Sequence, residues 1–403
     1  MRISARAEKA QASPIRKLVP LADAAKSAGI TVYHLNIGQP DIPSPQPALD
    51  AVRNWDGRVL AYGHSEGQRF YRETLVRYYR GLGLDVNLED IFITTAGSEA
   101  IIFAMAAVAD PGDEIIVFEP FYTNYNGFAA MLSVKLVPVT LSVENGFHLP
   151  DRKRIESLIT GKTRAILYCS PNNPTGTVYT REEVRMLAEI AAEHDLFLMG
   201  DEVYREFIYD ERVTHTSVLS FPEISDRAIM LDSVSKRFSM CGARIGNIVT
   251  KNRDVWASCL KFGQARLCPP QLEQIAADAA YRLPPEEYVK PMIDEYRRRR
   301  DVVYEALKGM PGVKTFLPEG AFYTVAKLPV DDADAFAAWL LSDFWKAEGL
   351  KETVMIAPAS GFYATAGAGK DEARIAYVLE CEALKRAMDL LARALEVYPG
   401  RVD

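Results

Sequence analysis

The side chains of this chain that could do chemistry come directly after short apolar runs. Lys236 follows Ala228–Leu231, with serines just before it and Arg244 eight residues beyond it. Hydroxyls, an arginine and a lysine together suit a phosphate group next to an amine that reacts with a carbonyl. A lone lysine is usually a solvated surface residue, but one that follows a buried strand beside hydroxyls indicates a site.

A carboxylate and an amide occupy similar positions after two other apolar runs. Asp201 follows Leu196–Met199, and Asn173 lies in a loop with two prolines and a glycine after Thr163–Cys169. A carboxylate at the end of a buried strand is costly unless a cation or hydrogen-bond donors satisfy it. A helix cap or an internal salt bridge would satisfy Asp201 as well, and the loop alone is best explained as a capped turn.

A fourth position offers backbone amides. Gly97 and Ser98 follow the run Ile91–Thr95 and precede the apolar segment Ala100–Ala109, which predicts a helix. Small residues at a helix N-terminus leave N–H groups that can bind an anion. A glycine before a helix is nevertheless more often a simple turn.

The four strand ends are more informative together than separately, since ligands of open α/β sheets bind beyond the carboxyl ends of the strands. Their groups suit a ligand with an anionic phosphate, an oxygen that accepts hydrogen bonds, a cationic ring nitrogen and an aldehyde. Pyridoxal phosphate has all four. Lys236 would form its Schiff base, and Asp201 would be the acidic partner of its pyridinium nitrogen.

The elements that must position these residues follow an α/β rhythm. Thr180 and Glu183 form a capping-box pattern, and apolar residues then recur at helical spacing before the next apolar run. Helical segments of this kind between short apolar runs predict a largely parallel sheet. The predicted strands are Ile91–Thr95, Glu114–Phe118, Thr163–Cys169, Leu196–Met199, Ala228–Leu231 and Gly246–Thr250.

Three segments are predicted along the chain. Residues 1–40 form an arm and a segment of the small domain, with a short helix over Ile15–Ala28. Residues 41–290 form the large cofactor-binding domain. Prolines near residue 290 and the long charged helical pattern after them predict a smaller C-terminal α/β domain over 291–403.

Composition narrows the class of protein. The 403 residues carry a net charge of -7, which argues against a nucleic-acid binder. The run Arg297–Arg300 is explained as a solvated helix face. Five cysteines without a CxxC pair predict reduced thiols and no metal cluster. With no apolar signal core and no long apolar stretch, we expect a cytoplasmic protein that does not enter membranes.

At these motifs the sequence resembles the class I and II aminotransferases, which have the aspartate-aminotransferase architecture called fold type I. The resemblance runs from Asn36-Ile37-Gly38-Gln39-Pro40-Asp41 to Arg374-Ile375-Ala376. Its most specific part is the segment Ser233 to Gly246 around the lysine. The segments Asn173-Pro174-Thr175-Gly176 and Asp201-Glu202-Val203-Tyr204 stand in the order that the family has.

The resemblance implies a role for each residue around the cofactor ring. Lys236 would form the Schiff base and later carry the proton between the substrate Cα and the cofactor. Asp201 would keep the ring nitrogen protonated. Asn173 and Tyr204 would hydrogen-bond the phenolic oxygen of the ring, and Tyr122 would stack on its face.

The phosphate and the substrate have their own expected partners. The resemblance assigns the phosphate to Gly97, Ser98, Ser233 and Arg244. Tyr62 would reach the phosphate of the neighbouring subunit, which implies a homodimer. Arg374 would bind the substrate α-carboxylate in a bidentate pair, helped by the backbone of Gly38.

The activity implied is transamination from an L-amino acid to a 2-oxo acid by a ping-pong mechanism. A β-eliminating lyase of the same fold shares the cofactor contacts and stays open as an alternative. A regulatory protein of this fold would need a DNA-binding segment, and the 35 residues before Asn36 contain no recognisable helix-turn-helix. The sequence does not identify the amino donor or the acceptor, nor does it decide whether aspartate is a substrate.

Overall fold

A computed structural model describes residues 1–9 and 16–402. Twelve strands are described: β1 (Thr31–His34), β2 (Ile91–Thr95), β3 (Glu114–Glu119), β4 (Lys135–Thr140), β5 (Thr163–Cys169), β6 (Phe197–Asp201), β7 (Ala228–Ser233), β8 (Ile245–Val249), β9 (Tyr323–Lys327), β10 (Glu352–Met355), β11 (Ala357–Pro358) and β12 (Glu372–Ala376).

The α-helices of the described residues occupy the stretches between these strands and the two ends of the chain. They are α1 (Ala5–Lys9), α2 (Val19–Ser27), α3 (Gln46–Arg53), α4 (Arg69–Gly81), α5 (Ala96–Val108), α6 (Asn124–Leu132), α7 (Arg152–Glu156), α8 (Arg181–Glu193), α9 (Val234–Arg237), α10 (Arg253–Arg266), α11 (Gln271–Tyr281), α12 (Val289–Gly309), α13 (Ala333–Trp339), α14 (Trp345–Ala347) and α15 (Cys381–Val397).

A seven-stranded sheet forms the centre of the molecule. Its strand order is β2-β8-β7-β6-β5-β3-β4. Every neighbouring pair is parallel except the two that β8 forms, with β2 and with β7. The prediction of an α/β fold with a largely parallel sheet is therefore confirmed.

The strands that the apolar runs predicted are present with small shifts at their ends. Asp201 and Ser233 are the last residues of β6 and β7 rather than residues after them, because the ladder continues through Asp201 opposite Leu231. The strand β4 was not predicted from the sequence. It is an edge strand that contains Pro138 and exposes Lys135, so its sequence lacks a continuous apolar run.

Both faces of the large sheet are covered by apolar side chains. Ile91 and Ile93 of β2 pack into one cluster, whereas Phe92 packs into the cluster on the opposite face. This alternation follows from the two-residue period of a strand. A strand buried on both faces requires a nearly continuous apolar run, which is why these strands are legible in the sequence.

A second core lies around the C-terminal elements. The strand β1 pairs in parallel with β10, and β12 pairs with both β9 and β11 in an antiparallel sheet. Leu18, Ala22 and Leu35 from the beginning of the chain pack into the apolar cluster of this region. The first and last parts of the chain therefore share one core.

The structure differs from the sequence predictions in three details of the helices, one of which lies partly outside the described residues. The predicted start at Ile15 lies outside the described residues, and the described helix runs over Val19–Ser27. Pro291 does not interrupt α12, because it lies in the first turn, where its missing N–H has no helical acceptor. The run Arg297–Arg300 is only half solvated.

Arg299 and Arg300 are buried because the helical turn places them on the protein-facing side of α12. Arg299 forms ion pairs with Asp41 at 2.6 Å and with Glu295 at 2.8 Å.

No helix within the described residues is long and apolar enough to cross a bilayer.

Candidate active site

A cavity of about 870 Å³ opens at the carboxyl ends of β5, β6 and β7. All of the predicted site residues except Tyr62 line it. These residues come from strand ends, from the N-terminus of α5 and from β12, and the segment around Gly38 closes one side. The sheet therefore brings together side chains that are far apart in the chain.

Lys236 is the amine of the cavity. Its Nζ donates to the carbonyl oxygen of Gly38 at 2.8 Å and lies 3.7 Å from Sγ of Cys241. Burial lowers the pKa of Lys236, and the nearby arginines Arg374 and Arg244 act in the same direction, while Cys241 acts against them. A lowered pKa increases the neutral fraction of the amine, which a nucleophile or a base needs.

The segment at Gly38 must pass very close to the opposite wall. A Cβ on Gly38 would lie 1.8 Å from the hydroxyl oxygen of Tyr323, so this position accepts only glycine without a rearrangement. That close approach is what allows the carbonyl of Gly38 to meet the lysine amine.

Asp201 is the carboxylate of the cavity. Its Oδ2 accepts a hydrogen bond of 2.7 Å from the hydroxyl of Tyr125, and no cation is paired with it among the described residues. Burial raises the pKa of Asp201 to about 6, while the hydrogen bonds from Tyr125 and the backbone of Val203 oppose that rise. A buried carboxylate in this state is suited to a cationic ligand group.

The N-terminus of α5 and the segment around Arg244 form a corner rich in hydrogen-bond donors. The backbone N–H of Ala96 donates to the carbonyl of Arg244 at 2.9 Å. A Cβ on Gly246 would lie 2.5 Å from the carbonyl carbon of Ala96, so β8 can approach this turn only with a glycine there. The amides of Gly97 and Ser98 lie in the first turn of α5, where amides have no helical acceptor.

Ser233, the last residue of β7 and the N-cap of α9, and Ser235 of α9 lie in the same corner. The hydroxyl of Ser233 donates to the carbonyl of Ile245 at 2.9 Å and accepts from the N–H of Ser235 at 3.1 Å, which caps α9. The hydroxyl of Ser235 lies 2.7 Å from that of Ser233 and also lines the cavity. Sequence reasoning assigned no role to Ser235.

Arg374 is held in a fixed plane. Its guanidinium carbon lies 4.6 Å from the ring centre of Tyr323 and 4.9 Å from that of Phe362. Nη1 donates to Oδ1 of Asn173 at 3.2 Å, and Nη2 donates to the carbonyl of Asn36 at 2.5 Å. Its Nε is buried with no acceptor among the described residues. An arginine fixed in this way is suited to a carboxylate in the cavity.

The aromatic residues of the cavity contact one another. The hydroxyl of Tyr204 lies 2.9 Å from that of Tyr323, which donates to the carbonyl of Gly38 at 3.4 Å. Tyr122 lines the cavity and meets Tyr125 edge to face, with 5.6 Å between the ring centres. Because Asn173 uses its Oδ1 to bind Arg374, its Nδ2 is the end that can donate to a ligand.

Tyr62 is the predicted site residue that the single chain does not bring to the cavity. Its side chain is 80% exposed. Tyr125, which binds Asp201, and Tyr323, which binds Tyr204, were not among the predicted site residues. Tyr125 had a weak signal, since it follows Tyr122 by three residues, whereas nothing in the sequence near Tyr323 relates it to Tyr204.

The sequence that forms this cavity matches a known family. The family model described as aminotransferase class I and II matches residues 30–391. The chain belongs to the class I and II aminotransferases. An aspartate aminotransferase of Pyrococcus horikoshii is 31% identical over 370 residues, with 91% of each chain covered.

Two further relatives of this aminotransferase illustrate the range of the family. An arginine–pyruvate transaminase of Pseudomonas aeruginosa is 33% identical over 326 residues, which cover 78% of this chain and 80% of the relative. The crystal structure of an aspartate aminotransferase from Thermotoga maritima superposes with a TM-score of 0.88 at 30% identity, with 98% of this chain and all of that chain covered. The predicted fold type I architecture and the predicted transaminase class are therefore confirmed.

The cofactor of this family is pyridoxal phosphate, and the cavity fits it. A lysine amine with a lowered pKa suits the aldehyde, and the unpaired carboxylate of Asp201 suits the pyridinium nitrogen. The N-terminus of α5 together with Arg244 suits the phosphate. The described residues contain no group of three or more side chains that could hold a metal ion.

Proposed function

We propose that the aminotransferase transfers the amino group of an L-amino acid to a 2-oxo acid in two half-reactions at one cavity. The proposal rests on the finding that the cavity amine and the cavity arginine hydrogen-bond to the same short backbone segment. Lys236 binds the carbonyl of Gly38, and Arg374 binds the carbonyl of Asn36 two residues away. A substrate whose carboxylate binds Arg374 would therefore have its Cα near the lysine amine.

The proton transfers are assigned to Lys236. Its amine would remove the proton from Cα of the bound amino acid and deliver it to the cofactor side, a step that requires the neutral amine. When bound, pyridoxal phosphate supplies an electron sink for the charge that this proton leaves behind. The buried, anionic form of Asp201 would keep the ring nitrogen protonated, with Tyr125 holding the carboxylate in place.

The other contacts are binding contacts. Arg374 would orient the α-carboxylate, with the backbone of Gly38 beside it, and Asn173 and Tyr204 would bind the phenolic oxygen of the ring. Tyr122 would cover the ring face. The phosphate is assigned to Gly97, Ser98, Ser233 and Arg244.

The side-chain specificity is a separate matter. Relatives named for aspartate and for arginine are 31% and 33% identical to this chain, although those two side chains carry opposite charges. Overall similarity therefore does not select a donor, and the proposal extends to amino acids and 2-oxo acids as classes.

A half-reaction screen tests the proposal. The cofactor-loaded protein is mixed with each amino acid in turn, and the absorbance of the lysine-bound cofactor is followed together with release of the 2-oxo acid. Transamination predicts one equivalent of 2-oxo acid per site and recovery of the absorbance after a 2-oxo acid is added. Continuous release of pyruvate and ammonia from a β-substituted amino acid would contradict it and indicate the lyase.

We also propose that the enzyme is a homodimer in which Tyr62 binds the phosphate of the neighbouring site. The exposure of Tyr62 together with the exposed apolar side chains Val59 and Leu60 supports an interface there. Mixed dimers of Lys236→Ala and Tyr62→Ala subunits test this arrangement. A mixed dimer would contain one site with neither defect, so mixing the two variants should restore activity, and failure to restore it would contradict the shared site.

Two predictions concern organisation and location. We propose that residues 1–40 and 291–403 form the small domain and that residues 41–290 form the large one, which the shared core of the first and last segments supports. Limited proteolysis of the linking segments would test this division. A cytoplasmic location stays a prediction.

A further inference from the structure

A cluster of buried charges lies behind the cavity. Four residues assigned to the cofactor each have a charged neighbour in the sequence that does not line the cavity. These pairs are Asp201 with Glu202, Tyr204 with Arg205, Ser233 with Asp232, and Lys236 with Arg237. We call Glu202, Arg205, Asp232 and Arg237 the charge cluster.

The members of the charge cluster bind one another. Arg205 forms ion pairs of 2.6 Å with Glu202 and 3.0 Å with Asp232. Arg237 forms an ion pair of 3.2 Å with Asp232. None of the four is more than 5% exposed. Arg237 also forms an ion pair of 2.8 Å with the partly exposed Glu206.

Asp232 is the junction of the charge cluster. Besides the two arginines, its Oδ1 accepts the backbone N–H of Ser233 at 2.7 Å, and its Oδ2 accepts the hydroxyl of Tyr79 at 2.9 Å. The side chain of Asn247, on the neighbouring strand β8, donates to the same tyrosine hydroxyl at 2.8 Å. One carboxylate therefore ties together the end of β7, α9, α4 and the segment after β6.

Strand geometry links the two sides of the sheet. Successive side chains of a strand point to opposite faces, so Ser233 faces the cavity while Asp232 faces the charge cluster. A displacement of Asp232 would move the backbone of Ser233 directly and that of Lys236 through Arg237. Buried ion networks add little net stability compared with apolar packing, so an effect on geometry is the more informative expectation.

We propose that Asp232 is a positioning residue that, through the charge cluster, holds Ser233, Lys236, Asp201 and Tyr204 as one rigid cofactor-binding unit. The inference rests on the cofactor contacts of the proposed function. It assigns no contact with substrate or cofactor to Asp232 itself.

The variant Asp232→Asn tests the inference. The side-chain oxygen of the asparagine can still accept the N–H of Ser233. The substitution removes the negative charge between the guanidinium groups of Arg205 and Arg237. We expect the dissociation constant of pyridoxal phosphate to rise about 10-fold and kcat at saturating cofactor to fall about 10- to 100-fold. KM for the amino acid should change less than about 3-fold, because Arg374 lies outside the charge cluster.

Asp90→Asn is the matched control. Asp90 is also a buried carboxylate bound to an arginine, Arg253, but it precedes β2 at the opposite end of the strands. We expect this variant to lower the melting temperature and to leave cofactor affinity and kcat unchanged. If Asp232→Asn behaves in the same way, Asp232 has a structural role only and the inference is wrong.

Arg205→Lys provides a milder version in case Asp232→Asn does not fold. A lysine keeps the charge but cannot bridge Glu202 and Asp232 with a fork of donors. Weaker cofactor binding with an unchanged KM would support the inference, and unchanged cofactor binding would overturn it. Failure of the unmodified protein to bind pyridoxal phosphate or to transaminate would instead contradict the proposed function.

Discussion

The cavity side and the rear side of the strand ends shift the pKa values of two neighbouring carboxylates in opposite directions. Asp201 faces the cavity, and burial raises its pKa to about 6. Glu202 is the next residue and equally buried, yet its contacts with Arg205 and His215 lower its pKa to about 2 against the effect of burial. The rear side neutralises its own charges, whereas the cavity leaves a carboxylate that a cationic ligand group can neutralise.

The same contrast applies to the basic residues. Arg205 and Arg237 are paired with carboxylates, whereas Lys236 and Arg374 contact backbone carbonyls and neutral side chains in the cavity. Burial without a counter-charge lowers the pKa of Lys236 and that of Arg374. The fold therefore leaves charge unbalanced in the cavity and balances charge behind it, next to the strand ends.

Removal of the cavity amine should have the largest effect on activity among the variants that test this comparison. We expect Lys236→Ala to bind the cofactor without the absorbance of the lysine-bound form and to lower kcat by a factor on the order of 10⁴, since both the nucleophile and the base are lost. Absorbance spectra and steady-state rates measure the two effects. Lys251→Ala, which changes a surface ion pair with Asp85, serves as the control. Normal turnover in Lys236→Ala would refute the central assignment.

Replacement of the cavity arginine should have the second-largest effect. Arg374→Lys keeps the charge but loses the planar fork, so we expect kcat/KM for amino acids to fall about 100-fold, mainly through KM. The comparison variant Arg386→Lys alters an exposed ion pair with Glu352 and should leave KM unchanged. An unchanged KM in Arg374→Lys would mean that the α-carboxylate binds elsewhere.

The two neighbouring carboxylates should respond to pH in opposite directions in the cofactor-free protein. The raised pKa of Asp201 contributes stability below pH 4 that is lost as the pH rises through about 6. The side chain of Asp201→Asn does not titrate, so this variant does not undergo the loss. From pH 4 to pH 7, the free energy of unfolding of the variant should therefore rise by on the order of 3 kcal/mol relative to that of the unmodified protein.

Glu202 provides the opposite sign in the same measurement. Its lowered pKa contributes stability above pH 4.5 that is lost as the pH falls through about 2. Relative to Glu202→Gln, the unmodified protein should therefore lose stability as the pH falls below 4.5. Urea unfolding at a series of pH values measures both variants. Parallel curves for the two would contradict the difference between the cavity side and the rear side.

The smallest expected effect comes from the hydroxyl of Tyr125. Tyr125→Phe keeps the ring packing but removes the hydrogen bond that lowers the pKa of Asp201. We expect cofactor affinity to fall about 10-fold, in line with the loss of one hydrogen bond to a charged group. Tyr179→Phe, which removes a buried hydroxyl with no partner among the described residues, is the control. Equal affinity in the two variants would show that Tyr125 does not act through Asp201.

Local pattern was sufficient for the central strands and for the residues at their ends. The strands β2, β5 and β7 are buried on both faces, so each is a short and nearly continuous apolar run in the sequence. The motif around Lys236 was legible because its residues are close in sequence. The edge strand β4 and the antiparallel direction of β8 could not be predicted, since a local hydrophobic pattern indicates neither of them.

The fold class and the cofactor follow from the sequence alone, because strand burial and the motifs at strand ends are local properties. The same motifs predicted the residues that line the cavity, with the exception of Tyr62. The partners of these residues follow only from the tertiary structure. Tyr125 binds Asp201, Tyr323 binds Tyr204, and Asn36 binds Arg374 across most of the chain. These pairs depend on strand order and on the packing of the two cores. The opposite charge environments of Asp201 and Glu202 have the same origin, since adjacent residues at a strand end face different sides of the sheet.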